Sequence, residues 1–323
     1  MPYPDTSWWY RHHLGLFDII VIVLILLESF RPSQWIKNFS LFAAAILSGK
    51  FFDPITFIQS SFAFVSFCLL SSSSYLLNDL VDVNKDRLHP SKKYRPLARG
   101  DLSPPVAVIA LLFLLIVGLS FAAKITPTFL TLAIFFIILQ YLYSFVFKKK
   151  AILDIVGIAF FFILRAFAGE VATGYHLPIW IMLTVIFLSL FIASGKRRSE
   201  IFNAGKHIRQ AMTGYSKSLL SFYITMFAVS TLICYAMFTF LAEPIVFEGP
   251  LHRFLLQYFP DALGRKWYMV TLLPVIFGIM RYGQIIFEMQ AGEKPERMIT
   301  TDIPLLFSVV TWGLMMMGIL YVI

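Results

Sequence analysis

Apolar residues dominate the chain in long runs, and most polar positions fall between the runs. A helix rises about 1.5 Å per residue, so about 20 apolar residues cross roughly 30 Å of hydrocarbon. On that ruler nine membrane helices are predicted, at 33–49, 54–77, 104–123, 127–147, 151–170, 177–195, 216–242, 267–290 and 301–323. The run FDIIVIVLILLESF at 17–30 is short for a crossing and is followed by charged, Pro-containing sequence, so residues 1–30 are expected to form an N-terminal interfacial segment. No small-residue cleavage site of the kind a removable signal needs follows it. The long runs do not alternate with period two, which excludes a β-barrel. The expectation is an all-α polytopic protein, one bundle of nine transmembrane helices, with 1–323 as a single catalytic domain because no polar linker divides it.

Composition agrees, with 59% apolar and only 14% charged residues. The cations then set the orientation. With an odd number of crossings and an inner N-terminus, most of the 27 Lys and Arg fall on the inner side, clustered at Arg31 and Lys37, Lys85 to Arg99, Lys148 to Lys150, Lys196 to Lys217, and Arg281 to Arg297. Cytoplasmic loops carry such an excess, so the chain is expected in the inner (plasma) membrane, N-terminus in and C-terminus out. Topology accounts for most of the net charge of +9, and no nucleic-acid partner is implied. Cys68 and Cys234 lie in separate apolar runs and are expected as buried thiols; the six His residues show no metal-ligand spacing. Thiolate-metal and redox chemistry drop out.

Chemistry gathers where the second apolar run ends, in NDLVDVNKDRLHPSKKYRPLARG at 78–100. If the helix continues through residue 86, Asn78, Asp82 and Asp86 recur at i, i+4 and i+8, and Asp79 lies three and seven residues before Asp82 and Asp86. Close carboxylates repel unless a cation lies among them, and oxygen donors favour a hard ion such as Mg²⁺. Such a face suits metal-chelated phosphate. Directly behind it come Arg87, Lys92, Lys93, Arg95 and Arg99, with Pro90 and Pro96 marking a loop. A solvated helix end is the bland alternative, but four oxygen-bearing side chains at a membrane edge point to function.

The Asn-Asp-x-x-Asp-x-x-x-Asp motif at 78–86 resembles the UbiA superfamily of intramembrane prenyltransferases. Further stretches resemble its polyprenyl-phosphate phosphoribosyltransferase branch: RPSQWIKN at 31–38, YSFVFKKKAILDI at 143–155, ILRAFAGEVATG at 163–174, FIASGKRRSEI at 191–201 and GEKPERMITTD at 292–302. Many superfamily members carry a second Asp-x-x-x-Asp motif after the sixth helix. Here SGKRRSE stands in the corresponding place, with Lys196, Arg197, Arg198 and Glu200.

The resemblance implies transfer of a 5-phosphoribosyl group from phosphoribosyl diphosphate (PRPP) to a long-chain polyprenyl phosphate, releasing diphosphate, in the supply of pentose for cell-envelope glycans. It implies Mg²⁺ as cofactor, with Asn78, Asp82 and Asp86 as metal ligands and Asp79 as a ligand or a support behind them, the four forming the catalytic set. Lys37, Arg87, Lys92, Arg95, Lys148, Lys196 and Arg197 are the expected phosphate contacts, with Glu200 and Arg165 beside them. Arg165 fits a structural ion pair with Asp154, about three helical turns before it, equally well. Tyr75, Tyr143 and Trp35 suit either a ribose or lipid pocket or plain packing. Membrane lipids are the remaining partners, and oligomeric state, homo-oligomer included, stays open.

Two other functions compete. An ordinary prenyltransferase, moving a prenyl group onto an aromatic or tetrapyrrole acceptor, shares the first motif but would be expected to keep the second. A transporter or lipid flippase would place polar groups at the midplane and show internal repeats, whereas here charge collects at one face.

Overall fold

The computed structural model describes residues 16–88, 92–147, 150–203, 214–242, 253, 256–262 and 264–321, and among them there are helices and turns but no strand. Helix α1 spans Leu16–Phe30, and a 3-10 helix, Pro32–Phe42, runs into α2, Ala43–Leu47. Then come α3 (Pro54–Leu88), a 3-10 turn (Lys92–Tyr94), α4 (Pro96–Arg99), α5 (Pro104–Ala123), α6 (Pro127–Phe145), α7 (Leu153–Thr173), α8 (Ile179–Asn203) and α9 (Lys217–Leu241). The 3-10 turn Trp267–Thr271, α10 (Leu272–Gln284) and the π-helix Ile285–Met289 form one continuous span. Helices α11 (Pro295–Thr301) and α12 (Ile303–Tyr321) end the described chain.

Eight of these helical stretches are long and apolar enough to cross a membrane, and the protein is a multi-pass membrane protein. The ninth predicted crossing, 33–49, takes another form. It is an 11-residue 3-10 helix followed by a five-residue α-helix, and it is not among the eight stretches long and apolar enough to cross. Runs of 3-10 helix longer than about four residues are uncommon. Arg31, just before Pro32, has φ +55, so the chain turns through the left-handed region to start it. Helix α3 has the opposite excess: its 35 residues measure about 52 Å, and its last turns extend past any layer of about 30 Å begun at Pro54.

By compactness the chain forms two units, Met1–Trp35 with Val65–Phe121, and Ile36–Phe64 with Ala122–Ile323. The apolar pattern carries no mark of this division, because α3 runs through it unbroken.

In the first unit Leu76, Leu97, Leu102, Ala107, Leu111 and Leu114 form the core, covered by Ile25, Leu26 and Phe30 of α1. Polar side chains tie the helices together from within: Ser66 Oγ donates to Gly118 O at 2.8 Å, and Trp35 Nε1 donates to Ser72 Oγ, which donates to Phe30 O. Each such bond satisfies a group that lipid could not.

In the second unit α7 lies against α6 and α8, and α8 against α9. One cluster joins Ala44, Ala166, Ile181, Tyr235, Phe238 and Met316; another joins Phe191, Ile224, Ile279, Tyr282, Ile285 and Ile286. Buried Tyr235 accepts from Trp312 Nε1 at 2.6 Å and shares a 2.6 Å bond with Thr271 Oγ1. Both cysteines are buried and outside any disulfide, as expected. Asp302 caps α12 through Leu305 N and receives two Arg281 nitrogens at 3.1 and 2.8 Å. That guanidinium holds its carboxyl below the usual carboxylate range.

At Gly169 a Cβ would overlap the carbonyl of Leu41 in the 3-10 segment. Backbone cannot step aside as a side chain can. Gly169→Ala is expected to lower stability by about 1–3 kcal/mol, the usual cost of overpacking, read as a fall in thermal unfolding temperature in detergent. An unchanged transition would show that α7 and this segment can part freely.

Candidate active site

Each unit carries a group of charged side chains. In the first, α3 stays helical to Leu88, so Asn78, Asp82 and Asp86 do recur at i, i+4 and i+8 along it. Asp79 and Asp86 are buried, 2% and 4% exposed, while Asn78 and Asp82 are half-buried. Buried carboxylates need cations. Arg31 Nη2 donates to Asp79 Oδ1 at 2.5 Å, and Arg95 Nη1 donates to Asp79 Oδ1 at 3.0 Å and Asp86 Oδ2 at 2.5 Å. Lys85 stands 3.8 Å from Asp82. Asp79 and Asp86 thus meet at one Arg95 nitrogen while Asp82 faces Lys85, and among the described residues no three His, Cys, Asp or Glu side chains are arranged around a cation position. Their chemistry nevertheless fits a hard divalent ion, since they offer oxygen donors and negative charge that the fold has to neutralise.

The other cations of this unit lie nearer its surface. Arg87 is exposed and its Nε donates to Ala98 O at 3.3 Å; Lys92 is exposed. Arg99, held to Glu28 at 2.8 Å and to Asp101, clips α4 onto α1. Gly100, with φ +92, ends α4 in the left-handed conformation that glycine adopts without strain.

In the second unit the last turns of α8 carry Lys196, Arg197 and Glu200. Arg197 is the centre of a buried network: it pairs with Asp154 and Glu200, and its Nη2 lies 2.5 Å from Asp154 Oδ1 and 3.2 Å from the hydroxyl of Tyr143. Tyr143 in turn donates to Asp154 Oδ1 at 2.7 Å. Lys196 lies 3.9 Å from Glu200 and within electrostatic reach of Lys37 and Glu296, which pair at 3.3 Å. Arg198 turns away. It donates to Ile286 O at 2.9 Å and stacks over Phe287 at 4.2 Å, anchoring the π-helix.

The position of α8 depends on two glycines. A Cβ at Gly195 would strike Ile286, and one at Gly292 would come within 2.8 Å of Ser199 Oγ, the atom that accepts a hydrogen bond from Gly292 N. The turn before α7 is strained: Ile152 has φ +69, and its N–H donates to the Tyr215 hydroxyl at 2.7 Å. Burial pushes that phenol's pKa up.

Arg165 is buried but does not pair with Asp154. Its Nε donates to Asn38 Oδ1 at 2.7 Å, its Nη1 donates to Phe161 O, and its guanidinium stacks on Phe136. Their spacing along one helix suggested the pair, but Arg197 from the neighbouring helix reaches Asp154 first. Lys148 lies outside the described residues. Arg31 and Glu296 join these groups without a signal in the sequence: Arg31, in RPSQWIKN, reads only as an inner cation.

Known proteins resemble this one along most of its length. The profile of the UbiA prenyltransferase family matches residues 39–301. The chain belongs to the UbiA prenyltransferase family. Among curated relatives, a decaprenyl-phosphate phosphoribosyltransferase of Mycolicibacterium smegmatis is 35% identical, covering 89% of each chain. One of Corynebacterium glutamicum is 34% identical over 89% of this chain and 84% of its own, and one of Mycobacterium tuberculosis 31% identical over 90% and 92%. A solved UbiA homologue from Archaeoglobus fulgidus, bound to GPP and Mg²⁺, superposes with a TM-score of 0.67 over 90% of this chain and 96% of that one. At 21% identity that likeness shows the fold. This UbiA family protein thus has the expected architecture, and these curated relatives bear the name of the branch that SGKRRSE pointed to.

Proposed function

We propose that this UbiA family protein transfers a 5-phosphoribosyl group from PRPP to the phosphate of a long-chain polyprenyl phosphate. The bond from C1 of the ribose to the diphosphate oxygen breaks, and diphosphate leaves with the electron pair. An oxygen of the lipid phosphate forms the new bond to C1. The acceptor is already an anion, so no strong general base is needed.

The observation that carries this reading is the network at the end of α8. Lys196 and Arg197 lie in SGKRRSE, which by resemblance takes the place of the second aspartate motif of many family members, and Asp154, Tyr143 and Glu200 fix Arg197 in position. Likeness to three proteins named decaprenyl-phosphate phosphoribosyltransferase supports it. Asn78, Asp82 and Asp86 would hold Mg²⁺, which when bound neutralises the diphosphate and stabilises charge on its leaving oxygen. Asp79, enclosed by two guanidinium groups, orients Arg31 and Arg95. Lys196 and Lys37 bind phosphate oxygens, and Arg197 sets where Lys196 and Glu200 stand. The reaction belongs at the cytoplasmic face of the plasma membrane, with the N-terminus inside, and its product would supply pentose for cell-envelope glycans.

Label from PRPP should appear in polyprenyl phosphate when purified protein and Mg²⁺ are present, and disappear with chelator. Prenylation of an aromatic acid from prenyl diphosphate, without lipid label, would establish the ordinary prenyltransferase instead. In the same assay Lys196→Ala should raise the KM of one phosphorylated substrate by about tenfold to a hundredfold, the effect of losing a charge-assisted hydrogen bond. Parent kinetics in that variant would reduce Lys196 to a topological charge.

A further inference from the structure

We infer that Arg31 and Arg95 are resident counter-cations of the acidic helix end, which release its carboxylates only when diphosphate arrives to receive them. The divalent cation therefore binds together with the diphosphate and not ahead of it. This rests on the reading of Asn78, Asp82 and Asp86 as the metal and diphosphate end, and adds an order of binding to it.

Charge balance supports the order. The two buried carboxylates, Asp79 and Asp86, already face two guanidinium groups, Arg31 and Arg95, at the distances given above. A bare divalent ion placed there would add two uncompensated charges to a partly buried site, which is costly. A diphosphate ester carries about three negative charges, so with its metal it adds only about one, and the site stays near neutrality.

The two arginines are built to change partners. Arg95 uses a single nitrogen, Nη1, for both carboxylates, and Arg31 reaches Asp79 through Nη2. A guanidinium has five N–H donors in a planar fork, so other edges can meet phosphate while the side chain pivots. Their side chains are 26% and 25% exposed, against 3% and 5% for Asp79 and Asp86, so the cations are the accessible members of these pairs. Neither hangs on a loose tether. Arg31 has left-handed backbone ahead of the 3-10 segment and stacks on Tyr75 at 5.1 Å; Arg95 lies between the 3-10 turn Lys92–Tyr94 and Pro96.

The test uses full-length protein in detergent, Mn²⁺ as a spin-visible divalent ion, and inorganic diphosphate. The parent should bind Mn²⁺ alone at least about tenfold more weakly than in the presence of diphosphate. Arg95→Gln should move the two affinities in opposite directions, tightening Mn²⁺ alone and weakening diphosphate, each by about tenfold, with Arg95→Lys restoring much of the parent behaviour. Arg31→Gln, on a separate element, should repeat the split. A merely structural role would weaken both together, and that result, or equal Mn²⁺ affinity with and without diphosphate in the parent, overturns the inference. The parent measurement needs no variant to fold. Because the probe is diphosphate, the outcome is independent of the group transferred: an absence of lipid label from PRPP would defeat the proposed function while leaving this exchange intact.

Discussion

Asp82→Asn protein is expected to fold and insert as the parent does, and to lose phosphoribosyl transfer by about three orders of magnitude. Metal stabilisation of a leaving group contributes several kcal/mol, and about 1.4 kcal/mol is tenfold in rate. The substitution separates chemistry from folding because of where Asp82 sits. Its side chain is 19% exposed, and Lys85, at 3.8 Å, is 80% exposed, so the pair contributes at most about 1 kcal/mol to stability. Asp79 and Asp86 would be poorer choices, since removing either leaves Arg95 short of a partner. Label transfer at saturating Mg²⁺ gives the rate, and thermal unfolding in detergent gives the fold. Full activity in a folded variant would take Asp82 out of the metal set.

Arg197→Gln is expected to have the largest effect on stability, a loss of about 3–5 kcal/mol, as when one partner of a buried ion pair is removed. Arg197 is 12% exposed at its side chain and Asp154 5%, and without the guanidinium the Asp154 carboxyl would face only the Tyr143 hydroxyl. Glu200 suffers less, because Lys196 is 3.9 Å away. Adding Asp154→Asn to Arg197→Gln should recover much of the loss. Detergent unfolding of the single and double variants measures this coupling. A single variant that unfolds with the parent, or a double variant no better than the single, would mean that the network does not hold α7 to α8.

The helices were legible because lipid imposes one rule, an apolar length of about 20 residues, on every crossing. The 33–49 stretch reads as a crossing by that rule but folds as 3-10 helix and a short α-helix, because apolarity alone cannot tell a 3-10 rise from an α rise. The oxygen-bearing face at 78–86 was legible from its four-residue spacing, which needed only that α3 persist. What the spacing concealed was the guanidinium groups among the carboxylates: Arg31 comes from 48 residues upstream, and its backbone turn has no clear signature. The Arg165 and Asp154 pair failed for a related reason. Spacing within a helix ranks partners on that helix, whereas the partner that wins is set by which neighbouring helix packs closest.

The contact between α8 and the π-helix has a consequence for how the sequence can drift. Gly195 leaves room for Ile286, and Gly292 leaves room for Ser199, so two chain segments distant in sequence share one volume. A side chain gained at either glycine must be offset by a smaller partner across the contact. Positions 195 and 286, and positions 199 and 292, should accordingly change in pairs among descendants of this chain, as linked substitutions and not as independent ones.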